Sequence, residues 1–231
     1  MNRVQSIKFL GVYINDKLNW TDHKKYIKNK ICRNLGILYK CRNIMNTKEL
    51  VTIYNSFVLP YFLYCMPLWG GSIKGNNDIL IKMQDKAIRI LFDTKRSGDA
   101  WRHSNKLILP LKELYSIEIL KFCYRHFTHN LPEYFERNVM PKYAKEIHNI
   151  STRHRDIHNY SLLKHHVTSL SYNSFTTQCI RIWNNMPESV KRYIDTDNIS
   201  QPKFIKNLKD YILNVTYRDM QLNNINCWQT S

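Results

Sequence analysis

Apolar residues recur at the spacing of an α-helix along most of the chain, after a short segment in which they alternate. Between Val4 and Ile14, β-branched and aromatic residues alternate loosely with polar ones, and the Asn15-Asp16 pair that follows is a turn signal. Beyond this segment, apolar residues three or four positions apart predominate, which places them on one face of a helix. The pattern therefore predicts a mainly α fold that opens with a short N-terminal β-hairpin.

The first predicted helix runs to about Ile44 and has two distinct faces. Ile27, Ile31, Leu35 and Leu38 follow one another at intervals of four, four and three residues, so they share the buried face. The candidate nucleic-acid-binding residues lie on the opposite face, and they are Lys25, Asn29, Arg33, Gly36 and Lys40.

Capping residues and prolines predict where the other helices begin. Asn19 is expected to cap the first helix, and Asn46, with Glu49 three residues on, has the pattern of a capping box. Pro60 is expected to kink the second helix. Later helices are predicted after Asn77 or Asp78, from Leu111 (after Pro110) to about Thr128, over 174–184 and over 202–215.

These elements predict two helical regions and a tail. Residues 1–94 hold the hairpin and the first helices, and residues 95–215 form a second helical region. The helical pattern weakens between Asn138 and Ser171, where we expect loops and one irregular helix. Residues 216–231 are polar, and we expect this tail to fray.

The charge of the chain indicates a polyanionic partner. The sequence holds 35 Lys and Arg against 18 Asp and Glu, a formal net charge of +17. Nine basic residues and one acidic residue, Asp22, lie between Lys17 and Lys48. Such clustering is typical of proteins that bind RNA or DNA. The alternative is a soluble basic protein without such a partner.

Gly36 strengthens the nucleic-acid interpretation of the first helix. An exposed glycine costs a helix about 1 kcal/mol relative to alanine, so its presence among three cations calls for a reason. Close approach of a nucleic-acid backbone is one such reason, because glycine has no side chain to keep a ligand away. The alternative is a solvated basic face in which the glycine is incidental.

The histidines and cysteines do not predict a metal site. The six cysteines form no CxxC pair, and His154 and His158 lie in a stretch without the cysteines or carboxylates that zinc requires. Together with Arg153, Arg155 and Tyr160, these histidines instead indicate a basic surface on which bases could stack, or a solvated loop. Hydrolase, metalloprotease and phosphate-loop motifs are absent from the sequence.

Features of secreted and membrane proteins are also lacking. No signal-peptide pattern opens the sequence, and the longest apolar run, from Phe57 to Trp69, is too short for a bilayer and contains Pro60 and Pro67. We therefore expect an intracellular protein of the nucleus or cytoplasm that is not secreted and does not associate with a membrane.

Five segments, in this order and spacing, resemble the region that follows the catalytic palm in jockey-like non-LTR retrotransposon reverse transcriptases. The strand motif and the later WN-x-LP element, here with Met in place of Leu, are together the most specific. The segments are Lys8 to Ile14 with Leu18, Asn19, Trp20 and His23; Ile53 to Ser56 with Pro60, Tyr64 and Trp69; Met83 to Arg89; Trp183 to Pro187; and Phe204 to Leu213.

The resemblance implies a thumb-like helical bundle whose first helix packs along the template–primer duplex. It also implies that Phe9, Leu10 and Gly11 belong to a primer-grip-like strand pair that positions the primer end through its backbone. A Phe-Leu pair on a strand is typical of a buried core as well, and we expect burial of Phe9 and Leu10. A truncated thumb is further expected to expose apolar surface around Phe9, Val12 and Trp20.

The catalytic residues of such polymerases are not found in this sequence. Reverse transcriptases hold two Mg²⁺ ions with paired palm carboxylates, yet no Asp-Asp dipeptide occurs here. Asp195 and Asp197 lie in a polar stretch that matches no family motif, so we do not expect them to bind a catalytic metal. We expect no cofactor for this chain alone, although the parent polymerase would use Mg²⁺.

Three functions remain open at this point. The chain is expected to be a C-terminal fragment of an RNA-directed DNA polymerase that contacts template and primer but does not polymerise by itself. A domesticated, free-standing RNA- or DNA-binding module is the second possibility. The third is an interaction fragment, or one without function, that buries its exposed surface against a partner such as the palm.

Overall fold

The computed structural model describes residues 4–73, 77–95, 101, 104, 107–143, 159–160, 172–191 and 200–226, with side chains up to residue 215. The fold is mainly α with an N-terminal β-hairpin, which confirms the predicted class. The chain divides into two compact units, the first formed by residues 1–114 and 213–231 and the second by residues 115–212.

The hairpin consists of β1 (Ser6–Phe9) and β2 (Val12–Asn15), which pair antiparallel with Phe9 opposite Val12. Leu10 and Gly11 form the two-residue turn, with φ of 44° and 84°. Positive φ at both positions is what a type I′ hairpin turn requires. Glycine is needed at the second position for another reason too, because a Cβ there would lie 3.3 Å from the ring of Tyr64.

Helix α1 spans Thr21–Cys41 and buries the predicted stripe of Ile27, Ile31, Leu35 and Leu38. Its predicted end at Ile44 is three residues too late. The residue at the N-cap is Trp20 with φ of 63°, while the Asn19 side chain accepts a hydrogen bond of 3.1 Å from the backbone N of Thr21. Asn19 therefore stabilises the start of the helix from one position further upstream.

Helix α2 (Thr47–Phe57) begins with the predicted capping box, since Asn46 and Glu49 bond each other's backbone N–H groups. Pro60 was predicted to kink this helix, but the helix ends at Phe57. The reason is that Pro60 occupies the first turn of a new helix, where its missing N–H costs nothing. The chain continues as α3 (Leu59–Leu63), α4 (Met66–Trp69) and a 3₁₀ turn (Gly70–Ser72).

Helix α5 (Ile79–Leu91) completes the core of the first unit. Asp78 caps it by accepting a hydrogen bond of 3.0 Å from the N–H of Leu80. The core of this unit is largely aliphatic, with Tyr54, Phe62 and Trp69 as its large aromatic members. Ile108, Leu109 and Leu111 are buried too, and the unit reaches Leu114. The predicted division after residue 94 therefore falls inside this unit.

Among the described residues, the second unit contains most of α6 (Leu111–Phe127) and all or part of four further helices. These are α7 (Glu133–Asn138), α8 (Phe175–Asn184), α9 (Glu188–Lys191) and α10 (Gln201–Asn226), whose last part returns to the first unit. Helix α10 continues to Asn226, beyond its predicted end at residue 215 and into the segment expected to fray. Its Phe204, Leu208 and Ile212 are buried at helical spacing, as predicted.

No single helix among the described residues is long and apolar enough to cross a membrane. A bent pair, Thr47–Leu63 with Met66–Ser72, reaches that length and composition together, with a break of 52° between its halves. Tyr54, Phe62 and Trp69 of this pair are buried in the core of the first unit, whereas Phe57, Tyr64 and Leu68 are exposed.

Candidate nucleic-acid interface

The outer face of α1 presents the candidate residues to solvent. Lys25, Asn29, Arg33, Gly36 and Lys40 are all exposed along one side of the helix. None of the three cations forms an ion pair with a carboxylate in the described part of the chain. Their charge is thus available to a ligand.

Two neighbouring cations of the same segment have structural roles instead. The ammonium of Lys24 donates to the Asp78 carboxylate and to the carbonyl of Ser72, both at 2.7 Å. The Arg42 guanidinium lies 2.7 Å from the carboxylate of Asp93. Both pairs join α1 to the ends of α5, so they stabilise the bundle rather than add free positive charge.

Packing gives no reason for the glycine in this face. A Cβ added to Gly36 would have no neighbouring atom within 4 Å. Alanine would fit there and would favour the helix, so the fold itself does not require glycine. The absence of a side chain leaves the backbone of α1 open to close approach between Arg33 and Lys40.

The primer-grip-like residues do not lie in the core, so the expected burial of Phe9 and Leu10 is wrong. Phe9 is 62% exposed and Leu10 is 76% exposed. Phe9 pairs with Val12, so the two side chains share one face of the hairpin, but β2, the strand of Val12, is the one that packs on α1. Phe9 lies on β1, the other strand, and Leu10 occupies the turn.

The hairpin is fixed to the bundle by aromatic rings. The Tyr13 and Tyr26 ring centroids are 5.1 Å apart, and the ammonium groups of Lys8 and Lys30 each lie 5.6 Å from the Tyr26 centroid. The Tyr64 hydroxyl donates to the carbonyl of Leu10 at 2.5 Å. The tip is thereby held in place while its apolar side chains stay exposed.

Of the apolar surface predicted around the hairpin, Phe9 is exposed, whereas Val12 is buried and Trp20 is half-buried. Ile7 adds to the exposed patch at 60%. Val12 is covered because it begins the strand that packs on α1.

His23 joins the hairpin to the core of the first unit. Its Nδ1 accepts a hydrogen bond of 3.4 Å from the backbone N of Tyr13, and the edge of its ring faces Trp69. Nε2 has no hydrogen-bond partner among the described residues. Burial lowers the pKa of His23 from 6.5 to about 4, so the ring is neutral at physiological pH.

Sequence reasoning missed the role of Gln84, although it lies in one of the segments that carry the resemblance. This buried side chain donates to the carbonyl of Leu109 at 2.9 Å and to the Tyr54 hydroxyl at 3.2 Å. It also accepts from the N–H of Leu111 at 2.8 Å. Gln84 therefore fixes the start of α6 and does not face solvent.

Trp183 and Asn184, from the WN-x-LP element, are structural as well. The Trp183 ring stacks on Phe127 with centroids 4.8 Å apart. Asn184 makes two hydrogen bonds of 3.0 Å with the backbone of Tyr160, one to its carbonyl and one from its N–H. This element holds Tyr160 in the core of the second unit.

The predicted stacking surface around Tyr160 needs correction. Tyr160 is fully buried, because the aromatic core of the second unit encloses its ring. Its hydroxyl lies 3.0 Å from Nδ1 of His126. Arg153, Arg155, His154 and His158 lie outside the described residues.

A metal-binding cluster is absent from the described residues. In this part of the chain, no three His, Cys, Asp or Glu side chains come together as they would around a metal ion. Asp195 and Asp197 are not in the described part.

Comparison with protein-family models, curated proteins and solved structures found no match to this chain.

Proposed function

We propose that this chain contacts template–primer nucleic acid through the outer face of α1, as the thumb-like C-terminal region of a non-LTR retrotransposon reverse transcriptase. The observation that carries this proposal is the row of exposed, unpaired cations, Lys25, Arg33 and Lys40, with Gly36 open between the last two. The ordered sequence segments that resemble this family support the assignment.

The dimensions of the row suit a phosphate backbone. From Lys25 to Lys40 the helix rises about 22 Å at 1.5 Å per residue. Phosphates of one duplex strand recur every ~3.4 Å along the helix axis, so the row passes several of them. Lysine and arginine side chains that replace condensed counterions there contribute affinity without reading sequence.

We propose that the chain does not polymerise by itself. Phosphoryl transfer by polymerases needs paired carboxylates that hold two divalent metals, and the sequence contains no Asp-Asp dipeptide. Mg²⁺ would be bound by the palm of the parent polymerase. Its nucleic-acid partners place the protein in the nucleus or cytoplasm under this proposal.

The test is a salt titration of binding to a short RNA–DNA hybrid. We expect Lys25→Gln, Arg33→Gln and Lys40→Gln together to weaken binding and to reduce the slope of log K against log salt by about 0.9 for each phosphate that is no longer neutralised. A matched control is the triple Lys203→Gln, Lys206→Gln and Lys209→Gln, which removes the same charge from exposed positions of α10. Equal affinity and slope for wild type and the α1 variant would refute the proposal.

The same titration bears on the free-standing binding module. If the isolated chain keeps its helical fold and binds in a salt-dependent manner, that function gains support. A further requirement for the reverse-transcriptase function is that the chain increase primer extension by a separately supplied palm of this family.

The hairpin favours a second candidate, in which the chain binds the palm. Ile7, Phe9 and Leu10 form an exposed apolar patch at the end of a well-fixed hairpin, and large exposed apolar patches are typical of interaction sites. Binding to a separate palm that Phe9→Ser abolishes, without any affinity for nucleic acid, would support this candidate instead.

A further inference from the structure

Helices α1 and α5 run parallel. Three contacts follow in the same order along both helices. Lys24 meets Asp78 at 2.7 Å, Cys32 Sγ lies 3.6 Å from Met83 Sδ, and Arg42 meets Asp93 at 2.7 Å. Since the residue numbers increase together, the two helices lie side by side over the whole length of α5.

Helix α5 carries a second row of cations. Lys82, Lys86 and Arg89 are exposed at intervals of four and three residues, so they share one side of the helix. The buried side is formed by Leu80, Gln84, Ala87, Ile88 and Leu91. No carboxylate among the described residues forms an ion pair with any cation of this row.

The two rows border one exposed seam. Cys32 is exposed and lies three residues after Asn29 and four before Gly36, which places it within the α1 face. Its contact Met83 lies three residues before Lys86, at the edge of the α5 row. The α1 face and the α5 row therefore adjoin along the line of contact between the helices.

We propose, resting on the proposed function, that Lys82, Lys86 and Arg89 bind the second phosphate backbone of a duplex whose first backbone is bound by α1. Packed helices lie about 8–10 Å apart, a distance of the same order as the width of a nucleic-acid groove. A duplex groove has a phosphate backbone on each side, whereas a single strand has one. The two-row surface therefore selects double-stranded over single-stranded nucleic acid.

The experiment compares the variant Lys82→Gln, Lys86→Gln and Arg89→Gln with wild type on an RNA–DNA hybrid and on either strand alone. We expect the affinity for the hybrid to fall roughly tenfold or more at moderate salt, because fewer phosphates are neutralised by the variant. The slope of log K against log salt should decrease by about 0.9 for each of these phosphates. Affinity for the single strands should change little. The α10 triple described above controls for net charge, and thermal melting controls for the fold.

Cys32 supplies a readout that does not depend on mutation. It lies in the seam, so bound hybrid should slow its alkylation by a maleimide, measured by mass spectrometry of the Cys32 peptide. Cys41, near the end of α1 and half-buried, serves as the internal reference. Equal alkylation rates of Cys32 with and without saturating hybrid would contradict the placement of the duplex.

The outcomes separate the two proposals. If the α1 triple weakens binding of the hybrid and the α5 triple does not, the duplex assignment is overturned and the proposed function stands. An α5 triple that lowers affinity equally for hybrid and single strand, or only as much as the α10 triple, also overturns it. If the α1 triple has no effect, the proposed function fails, whatever the α5 triple does.

Discussion

The two units of the chain differ in how their cores are built. In the first unit, aliphatic stripes of α1 and α5 pack together, and the buried Gln84 bonds the backbone of Leu109 and Leu111. In the second unit, aromatic rings surround a buried histidine: His126 stacks on Tyr143 at 4.6 Å, and Phe127 stacks on Trp183 at 4.8 Å. An aliphatic stripe recurs at a fixed period along one helix, whereas an aromatic cluster joins residues that are far apart in the sequence.

The difference affects function as well as stability. A core of regular stripes leaves a straight outer face on each helix, and in the first unit these faces carry the unpaired cations. In the second unit, His126, Tyr143 and Tyr160 are buried, and the Tyr143 hydroxyl donates to the His126 carbonyl at 3.0 Å. The nucleic-acid interface that we propose therefore lies on the first unit.

The largest effect that we expect is a loss of stability in acid. Measuring it tests whether the stability of each unit depends on a buried, neutral histidine. Burial lowers the pKa of His23 and that of His126 from 6.5 to about 4. Between pH 6.5 and pH 4 the unfolded chain binds more protons than the folded chain. The stabilisation is therefore fully present above about pH 6.5 and declines as the pH falls towards 4. The decline should be of the order of 3 kcal/mol for each histidine.

Hydrogen exchange of peptides from each unit, measured between pH 7 and pH 4, reads the two contributions separately. His126→Gln should flatten the pH dependence of the second unit, and His23→Gln that of the first. A pH-independent protection in the wild-type protein would show that neither histidine is held neutral by its core.

The next effect concerns the main buried polar side chain of the first unit. Gln84→Leu leaves the N–H of Leu111 and the carbonyl of Leu109 without their partner, and we expect a loss of about 2–3 kcal/mol in the free energy of unfolding. Urea denaturation measures it. Lys86→Leu, at an exposed position of the same helix, is the matched control and should change stability by less than about 0.5 kcal/mol. If both variants had similar free energies of unfolding, the hydrogen bonds of Gln84 would make no net contribution to stability.

The smallest effect separates stability from binding on the α1 face. Gly36→Ala should stabilise the protein by up to about 1 kcal/mol, because the methyl group meets no neighbour and alanine favours the helix. Gly36→Leu should also fold, yet its larger side chain should weaken binding of the hybrid. Urea denaturation and the hybrid titration measure the two quantities. If Gly36→Leu binds as tightly as wild type, the glycine does not serve close approach.

The local elements were largely predictable, because their signals lie within a few residues of one another. Asn46 and Glu49 identify the capping box of α2, and α8 begins at Phe175, one residue after its predicted start. The end of α2 was not predictable in the same way. A proline both breaks a preceding helix and fits the first turn of a new one, and the local sequence around Pro60 allows either.

The candidate site was predicted only in part. The five residues on the outer face of α1 follow from helical period alone, and the structure exposes all of them. The exposure of Phe9 was not predicted, because the alternation within each strand does not tell which of the two strands packs against the helix. The adjacency of the α5 row to α1 was also missed, since periodicity within a helix carries no information on its neighbour.

By itself, the sequence determined the helical class, the N-terminal hairpin, the two faces of α1 and the strong positive charge. All of these depend on interactions between residues close in the chain or on composition. Only the tertiary structure decided that Gln84 bonds Leu109 and Leu111, that Tyr160 is buried against His126, and that two cationic rows lie side by side. Each of these joins residues more than twenty positions apart, and such pairings depend on how the helices pack rather than on any local pattern.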